Sequence, residues 1–438
     1  MNNIHIYTYV ITPRLTYVCE ALFCQLMGIS FQLETDWLRF INIQNPKIAY
    51  TPSAPDINVL WIKSNQLLFE TDIQTQDYTV LEWKDVKTIA LGAHNETAVC
   101  PFDLFSTIFY LLSRYEEYTC LDRDEHGRFS AFSSILYKEN LLEYPIVNQL
   151  AIAFQKVIHS SYPHIVYKSA NYSFIPTIDI DIALAYRAKG WKRTLGGLMN
   201  DTLSLDFSRI LDRFKSLLHI QKDPYDVFHY FEKAFRNTKP VFFLLMGNYG
   251  DFDKNNDTQN ADYKRIINKI STNYDVGVHP SYQSNDNLEV LKKEIKRVAT
   301  LSHQPIVRSR QHYLKLSLPT TYRQLLEMGI KEDWTLGFAE RVGWRAGIAT
   351  PFYWFDLERN AATDLLLYPT AAMDVTLQQY MKYSPEKARK TLETLANRCK
   401  AVDGTFITIW HNSSFYDQEG WKGWDSVFEY MIATGQKN

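Results

Sequence analysis

The chain has 438 residues, of which 46% are hydrophobic and 14% aromatic, so it is long enough for two or three domains with large cores. The formal net charge of −2, with both signs interspersed, argues against nucleic-acid binding, which needs clustered Lys and Arg. The five cysteines lack CxxC spacing, which indicates neither a disulfide framework nor a thiolate zinc site, and we expect reduced thiols.

The start of the chain, from Met1 to His5, has no basic segment of the kind that opens a secretory signal. No apolar run reaches the roughly 18 residues that would span a bilayer. We therefore expect a cytoplasmic protein with at most peripheral membrane contact. If its substrate is carried on a membrane, we expect the protein to meet it at the inner membrane face. The oligomeric state is not indicated by the sequence.

Residues 1–168 are predicted to form a smaller mixed α/β domain. An apolar strand over 4–11 precedes a helix over 15–27 that ends at Gly28, and short strands follow near 58–62 and 88–91. A buried helix is predicted over 101–118 because its apolar residues recur at helical spacing, and a second helix over 145–159 ends the domain. No catalytic constellation is visible in this half.

One polar segment of this half, Asp122 to Phe129, has a high density of charge around His126 and Gly127. Local ion pairs in a solvated turn explain such a segment. A motif with a function is the alternative, and the sequence does not say which function.

Residues 169–438 alternate between strand and helix patterns, which predicts a distorted (β/α) barrel of about seven strands. Helices are predicted between these strands, including one over 288–301 and one over 322–328. The strand segments are 174–180, 241–246, 276–278, 306–314, 334–338 with 347–355, 365–368 and 405–410.

The organising stretch is Pro176 to Ile182, in which Asp179 and Asp181 interrupt a run of β-branched residues. Residues at positions i and i+2 of a strand share a face, unless the strand has already ended and Asp181 curls over its rim. Either way the two carboxylates lie close together and need a cation or an arginine as compensation. Four basic candidates follow or end later strand-like runs, where the site of a (β/α) barrel lies. They are His279, His312, Arg345 and His411.

The connection from 182 to 239 is too long for one crossover helix. It carries a basic segment, Arg187 to Arg193, and an amphipathic stretch over 203–220. A lid over the site, a surface for anionic lipid and a solvated basic helix packed on the barrel are all compatible with this composition.

In the order of these motifs, residues 172–438 resemble the polysaccharide deacetylases of carbohydrate esterase family four. The N-terminal half resembles the domain that precedes such barrels in an uncharacterised branch. The resemblance implies that Asp179 is the catalytic base and Asp181 a metal ligand, with His279 as a second ligand. It also implies an arginine that holds the base, and His411 as the catalytic acid.

The sequence departs from the family where a second histidine is expected four positions after His279, because Gln283 stands there. We expect His312 to replace it, since His312 ends a neighbouring strand and alternates with Arg308 and Arg310. Two imidazoles and one carboxylate suit a divalent ion, and zinc is the favoured one.

Further residues are assigned from the chemistry of amide hydrolysis. Either Arg310 or Arg345 is expected to keep Asp179 ionised. Asp374 is expected to orient His411 and to hold its charge. Among the aromatic residues near these positions, Trp344, Tyr353 and Trp410 are expected to stack on sugar rings.

These assignments predict a metal-dependent N-deacetylase that hydrolyses the acetamide of an amino sugar in a glycan or glycan precursor. The alternative, which Gln283 suggests, is a degenerate barrel that binds glycan without hydrolysis. A glycosidase that uses the Asp pair is disfavoured, because two acids two residues apart are too close for an inverting pair.

Overall fold

The computed structural model describes residues 3–168, 171–205, 207–417 and 420–437. Its N-terminal region contains a parallel sheet of order β2-β1-β3-β4 and a separate antiparallel hairpin of β5 and β6. Alternate residues of the first strand, Ile4 and Ile6, are fully buried, as expected of a strand packed against helices. The strands are β1 (Asn3–Tyr7), β2 (Ser30–Glu34), β3 (Lys47–Thr51), β4 (Leu60–Lys63), β5 (Tyr78–Trp83) and β6 (Val86–Leu91).

The helices of this region are α1 (Pro13–Cys19), α2 (Trp37–Asn42), α3 (Leu104–Leu112), α4 (Tyr115–Thr119), α5 (Ile135–Lys138) and α6 (Ile146–Ser161). Helix α1 begins at a Thr12 cap followed by Pro13 and continues into a π-helical segment, Glu20–Leu26. The helix predicted over 101–118 is interrupted between α3 and α4, because Arg114 adopts a left-handed φ of 55°. Its side chain is thereby directed to Glu116 and Glu117.

The C-terminal region contains one sheet of nine strands in the order β12-β13-β11-β10-β9-β8-β7-β15-β14. Every pairing is parallel except that of β12 with β13. The strands are β7 (Ser173–Ile180), β8 (Val241–Leu244), β9 (Asp275–Val278), β10 (Arg308–Ser309), β11 (Glu332–Asp333), β12 (Phe352–Asp356), β13 (Ala361–Leu367), β14 (Ala372–Met373) and β15 (Thr405–His411).

Helices separate most of these strands, as the alternating pattern predicts. They are α7 (Gly190–Leu203), α8 (Phe207–Leu217), α9 (Phe228–Ala234), α10 (Ala261–Asn273), α11 (Leu288–Ser302), α12 (Thr320–Glu327), α13 (Pro385–Lys400) and α14 (Trp424–Gln436). In its described residues, the long connection thus holds three helices, α7 to α9. Within the described ranges, no helix is both long and apolar enough to cross a membrane.

The mixed α/β class with parallel-rich sheets is confirmed, whereas closure into a barrel stays a prediction. Between the described residues of β12 and β14, the two end strands of the sheet, no hydrogen-bonded pairing is present. The strand predicted over 306–314 is much shorter than expected, because a 3-10 turn, His312–Leu314, follows β10 closely.

The division at residue 168 also stays a prediction, since buried apolar side chains of both regions form one continuous cluster. All five cysteines are unpaired in the structure, and Cys19, Cys100 and Cys399 are buried.

Candidate metal centre and catalytic groups

The candidate site lies at the carboxyl ends of the central strands of the large sheet. Asp179 is the penultimate residue of β7 and pairs in register with His411, the last residue of β15. His279 directly follows β9, and His312 begins the turn after β10. Parallel strands end at the same edge of a sheet, so residues separated by more than 200 positions in sequence meet here.

The close packing of β9 depends on Gly277. A Cβ atom at this position would lie 2.7 Å from Cε1 of Phe243 and 2.9 Å from the backbone oxygen of Arg308. Only glycine leaves room for the neighbouring strands, and this fixes the place of His279 two residues later.

Three of the predicted residues form a group that could hold a metal ion. One ligand atom from each of Asp181, His279 and His312 lies within 4.8 Å of the others. Nε2 of His279 is 3.2 Å from Oδ1 of Asp181, and Nε2 of His312 is 3.6 Å from Oδ2. The structure therefore brings together the residues expected to be ligands, including the replacement histidine.

Hydrogen bonds on the far side of each imidazole determine which nitrogen faces Asp181. Nδ1 of His279 bonds to the backbone oxygen of Arg310, and Nδ1 of His312 lies 2.9 Å from Oδ1 of Asp253. Both partners only accept, so each Nδ1 is the donor, and in a neutral ring Nε2 presents its lone pair to Asp181.

The chemistry of this donor set fits a divalent cation. Oδ1 of Asp181 is buried and has no hydrogen-bond donor among the described residues when His279 is neutral, because Nε2 of His279, 3.2 Å away, is then an acceptor too. Two lone-pair nitrogens that face a carboxylate require a proton or a cation between them. Two imidazoles and one carboxylate with an open position are the ligand set of catalytic zinc sites.

The pKa shifts show how strongly these buried groups interact with one another. Burial alone would raise the pKa of Asp181, but the imidazoles of His312, His279 and His411 hold it well below its usual value. Burial would lower the pKa of His312, but Asp181 and Asp253 raise it to about 9. Without a cation, the carboxylate is thus compensated by protonated histidines.

Asp179 is held on one side by a buried arginine. Nη1 of Arg310 donates to Oδ1 of Asp179 at 2.7 Å and lies 2.6 Å from Oγ1 of Thr177. The other carboxylate oxygen of Asp179, Oδ2, lies 3.8 Å from Nε2 of His279. One oxygen is therefore fixed by the guanidinium and the other faces the metal group.

His411 also approaches Asp181 and has its own carboxylate partner. Nδ1 of His411 is 2.8 Å from Oδ1 of Asp374, while its Nε2 is 3.8 Å from Oδ2 of Asp181. Asp374 is further fixed by the backbone N–H of His411 and the hydroxyl of Ser414. Burial would lower the pKa of His411, but Asp374 and the nearby aspartates raise it to about 10.

These groups open on a cavity of about 210 Å³. Besides the residues already described, its wall includes Arg128 from the N-terminal region, together with Tyr313, Gln379 and Tyr380. Arg128 is buried, bonds to the backbone oxygen of Tyr313 and donates to Asp124 at 2.7 Å. The turn formed by residues 122–129 has the predicted local bonds, but it packs against the cavity rather than being fully solvated.

The prediction for Arg345 is wrong. Its guanidinium binds the N-terminal region, with Nε and Nη2 donating to Glu117 at 2.8 and 2.6 Å. The loop that carries Arg345 turns toward that region, so Arg310 is the arginine that contacts Asp179. Arg308 is also directed elsewhere, because its side chain pairs with Glu332 and Asp275.

The three aromatic residues expected to bind sugar do not line the cavity. Trp344 is fully buried, and Trp410 packs against Trp424 and Phe428 in the core. Tyr353 is 41% exposed but lines a different cavity, beside Thr12 and Asn360. Alternation along β12 and β15 indicates only which face a side chain is on, whereas the layer of helices determines which faces are covered.

Sequence reasoning missed two residues beside the metal group. Asp253, which fixes His312, lies in the loop after β8 and has no motif around it. Arg128 could have been found through the charge density of residues 122–129, but only the fold brings this segment to the cavity. Gln283 is exposed and lies outside the group of Asp181, His279 and His312.

Residues 4–163 match the model of a family of unknown function, DUF7033. None of the curated protein sequences is significantly similar to the chain.

Among solved structures, the chain is similar to a protein from Mycobacterium smegmatis assigned as a polysaccharide deacetylase, at 13% identity and a TM-score of 0.38, over 62% of this chain and 87% of that one. A polysaccharide deacetylase from Bacillus cereus matches at 10% identity and a TM-score of 0.29, over 60% and 87%. A mutant CE4 family pseudoenzyme with restored enzymatic activity matches at 12% identity and a TM-score of 0.28, over 61% of this chain and 63% of that one. TM-scores below 0.5 leave these as coarse likenesses to deacetylases.

Proposed function

We propose that the protein is a divalent-metal-dependent hydrolase that removes the acetyl group from an acetylated amino sugar in a glycan or glycan precursor. The observation that carries the proposal is the convergence of Asp181, His279 and His312 close to two separately partnered groups, Asp179 with Arg310 and His411 with Asp374. The sugar substrate comes from the motif order, which resembles that of polysaccharide deacetylases.

Asp181, His279 and His312 would hold the ion, for which we propose zinc. When bound, such an ion polarises the acetyl carbonyl and lowers the pKa of water toward about 7. His279 and His312 are prepared for this role because their Nδ1 atoms are already engaged by Arg310 and Asp253.

Asp179 is the proposed general base. Arg310 occupies its Oδ1, which leaves Oδ2 on the side of the metal group to accept a proton from water. The fixed guanidinium holds the carboxylate in one orientation in a site that is otherwise buried.

His411 is the proposed general acid. Asp374 accepts from Nδ1, so the proton that can be transferred is on Nε2, which faces the cavity. It would protonate the amine as the amide C–N bond breaks, while the acetyl carbon receives the water oxygen.

The test is to incubate metal-replete protein with oligomers of N-acetylglucosamine and to measure bound metal and released acetate. The proposal expects about one divalent ion per chain and acetate release that stops when a chelator removes the metal. An Asp181→Ala variant should lose both, and Gln283→Ala should keep both. Bound metal and bound oligomer without acetate would favour the alternative of glycan binding without hydrolysis, and absence of metal would overturn the proposal.

A further inference from the structure

The α7–α8 hairpin, residues 190–217 with the following turn to 222, has its apolar side chains on the outside. In the described part of the chain, 21 large apolar residues are exposed, and ten of them fall within 191–220. Their exposed fractions range from 47% for Phe214 to 77% for Leu203. They are Trp191, Leu195, Met199, Leu203, Leu205, Phe207, Leu211, Phe214, Leu218 and Ile220. Single exposed apolar residues are common, but a concentration of this kind marks an interaction surface.

The buried residues of the two helices are polar. The only buried residue of α7 is Asp201, and the buried residues of α8 are Arg213 and Ser216. Arg213 joins the two helices by donating to Asp201 from Nε and Nη2 at 2.9 and 2.6 Å. Gly197 makes room for this pair, since a Cβ there would lie 2.6 Å from the guanidinium. Helix pairs that face water have the opposite arrangement.

Charge indicates what covers this surface. Residues 190–222 contain six Lys and Arg and three Asp, for a net charge of +3. Lys192, Lys215 and Lys222 are exposed among the apolar residues, and long basic side chains can reach headgroups while apolar neighbours enter the lipid. Two copies of this surface would repel each other in a symmetric dimer, whereas an anionic bilayer complements both its charge and its apolar residues.

The hairpin is attached at the edge of the sheet that carries the candidate site. Arg193 donates to the backbone oxygens of Lys254 and Asn255, next to the residue that fixes His312. Tyr416, five residues after His411, donates to Asp212 of α8 at 3.1 Å. A membrane bound by the hairpin would therefore lie close to the loops around the cavity.

We infer that the α7–α8 hairpin binds the surface of an anionic lipid bilayer without crossing it, and so holds the cavity near the headgroups. This inference goes beyond the proposed function and does not depend on it. It concerns lipid binding, which can be measured whether or not the protein hydrolyses any substrate.

The test is co-sedimentation of the full chain with vesicles of phosphatidylcholine, alone or with about 30 mol% phosphatidylglycerol. We expect at least about tenfold tighter binding to the anionic vesicles, weakened by salt. The variant Leu195→Ser/Leu203→Ser/Leu211→Ser/Leu218→Ser should reduce binding by about tenfold or more. Leu38→Ser/Leu121→Ser, at exposed apolar positions elsewhere, should bind as wild type does.

Trp191 gives an independent readout. Its emission should shift to shorter wavelength with anionic vesicles, and Trp191→Phe should remove most of that shift. Thermal melting would show that each variant is folded. Equal binding of wild type and the four-leucine variant would overturn the inference. The inference would also be overturned if the wild-type protein does not bind anionic vesicles but forms dimers that this variant abolishes. A second copy of the chain would then cover the surface.

Discussion

Two buried clusters of charge in this protein contain similar residues but differ in how the carboxylates are partnered. In the cluster at the contact between the two regions, Glu117 accepts from Arg114 at 2.8 Å and from Arg345 at 2.8 and 2.6 Å, so both of its oxygens are bound. In the candidate site, Oδ1 of Asp181 has no hydrogen-bond donor among the described residues when His279 is neutral, and the side chain faces a cavity.

The comparison separates a structural ion pair from a site prepared for a ligand. Planar guanidinium groups match a carboxylate in two parallel bonds and leave it nothing further to bind. Imidazoles whose Nδ1 atoms are engaged elsewhere present lone pairs toward Asp181 instead, which leaves the group in need of a cation. Arg345 and His312 both follow strand-like runs, yet they serve these two different clusters.

The largest expected effect concerns the metal group. His312→Ala should lose most of the bound metal and nearly all metal-dependent activity, because one of only three protein ligands is removed. Gln283→Ala is the matched control and should keep both, since Gln283 is exposed and outside the group. Titration with zinc against a competing chelator measures the affinity. If Gln283→Ala loses the metal and His312→Ala keeps it, the ligand assignment is wrong.

A smaller effect is expected at His411, beside the metal group. His411→Asn should reduce kcat by roughly two to four orders of magnitude, the usual contribution of a positioned general acid, with little change in metal content. Steady-state kinetics of acetate release together with elemental analysis would measure both quantities. An unchanged kcat would remove His411 from the mechanism.

A substitution in the cluster around Glu117 should change stability instead of metal binding. Glu117→Gln leaves Arg345 buried without its carboxylate and should lower the free energy of unfolding by about 3–5 kcal/mol. The metal affinity of the folded variant should be unchanged. Glu82→Gln, at an exposed position, is the control and should change stability little. Denaturant unfolding measures the difference, and a loss of metal without a loss of stability in Glu117→Gln would contradict the comparison.

The last prediction concerns how the stability contribution of Glu117 depends on pH. Burial alone would raise the pKa of Glu117, but Arg345 and Arg114 lower it to about 2 from an ordinary value of 4.5. A carboxyl group with a lowered folded-state pKa contributes stability above its unfolded pKa and loses it as the pH falls through the folded value. The stability difference between wild type and Glu117→Gln should thus be full above about pH 4.5 and shrink toward pH 2. Unfolding at a series of pH values measures this difference, and a constant difference would contradict the prediction.

Much of the candidate site could be predicted from the sequence because its residues are tied to strand ends. Asp179 lies near the end of β7 and Asp181 directly follows Ile180, the last residue of that strand, while His279 and His411 lie where their strands stop. His312 was found by the same argument, although β10 is only two residues long. The motif order then indicated which chemistry these residues support.

The partners of these residues could not be predicted from the sequence. Whether Arg310 or Arg345 holds Asp179 depends on which way two loops turn. The sequence around Trp344 and Trp410 does not show whether their side chains are in the core or on a cavity wall. Asp253 and Arg128 reach the site from a loop without a motif and from the N-terminal region.

The amino-acid sequence by itself determined the alternation of strands and helices, the edge at which polar residues collect and the residue types available there. These are local properties, because hydrophobic period and strand ends depend on neighbours in the chain. Only the tertiary structure decided which carboxylates are fully partnered, which aromatic side chains are covered and which apolar residues of the α7–α8 hairpin remain outside. Those outcomes depend on contacts between distant segments, whose packing and desolvation no local pattern contains.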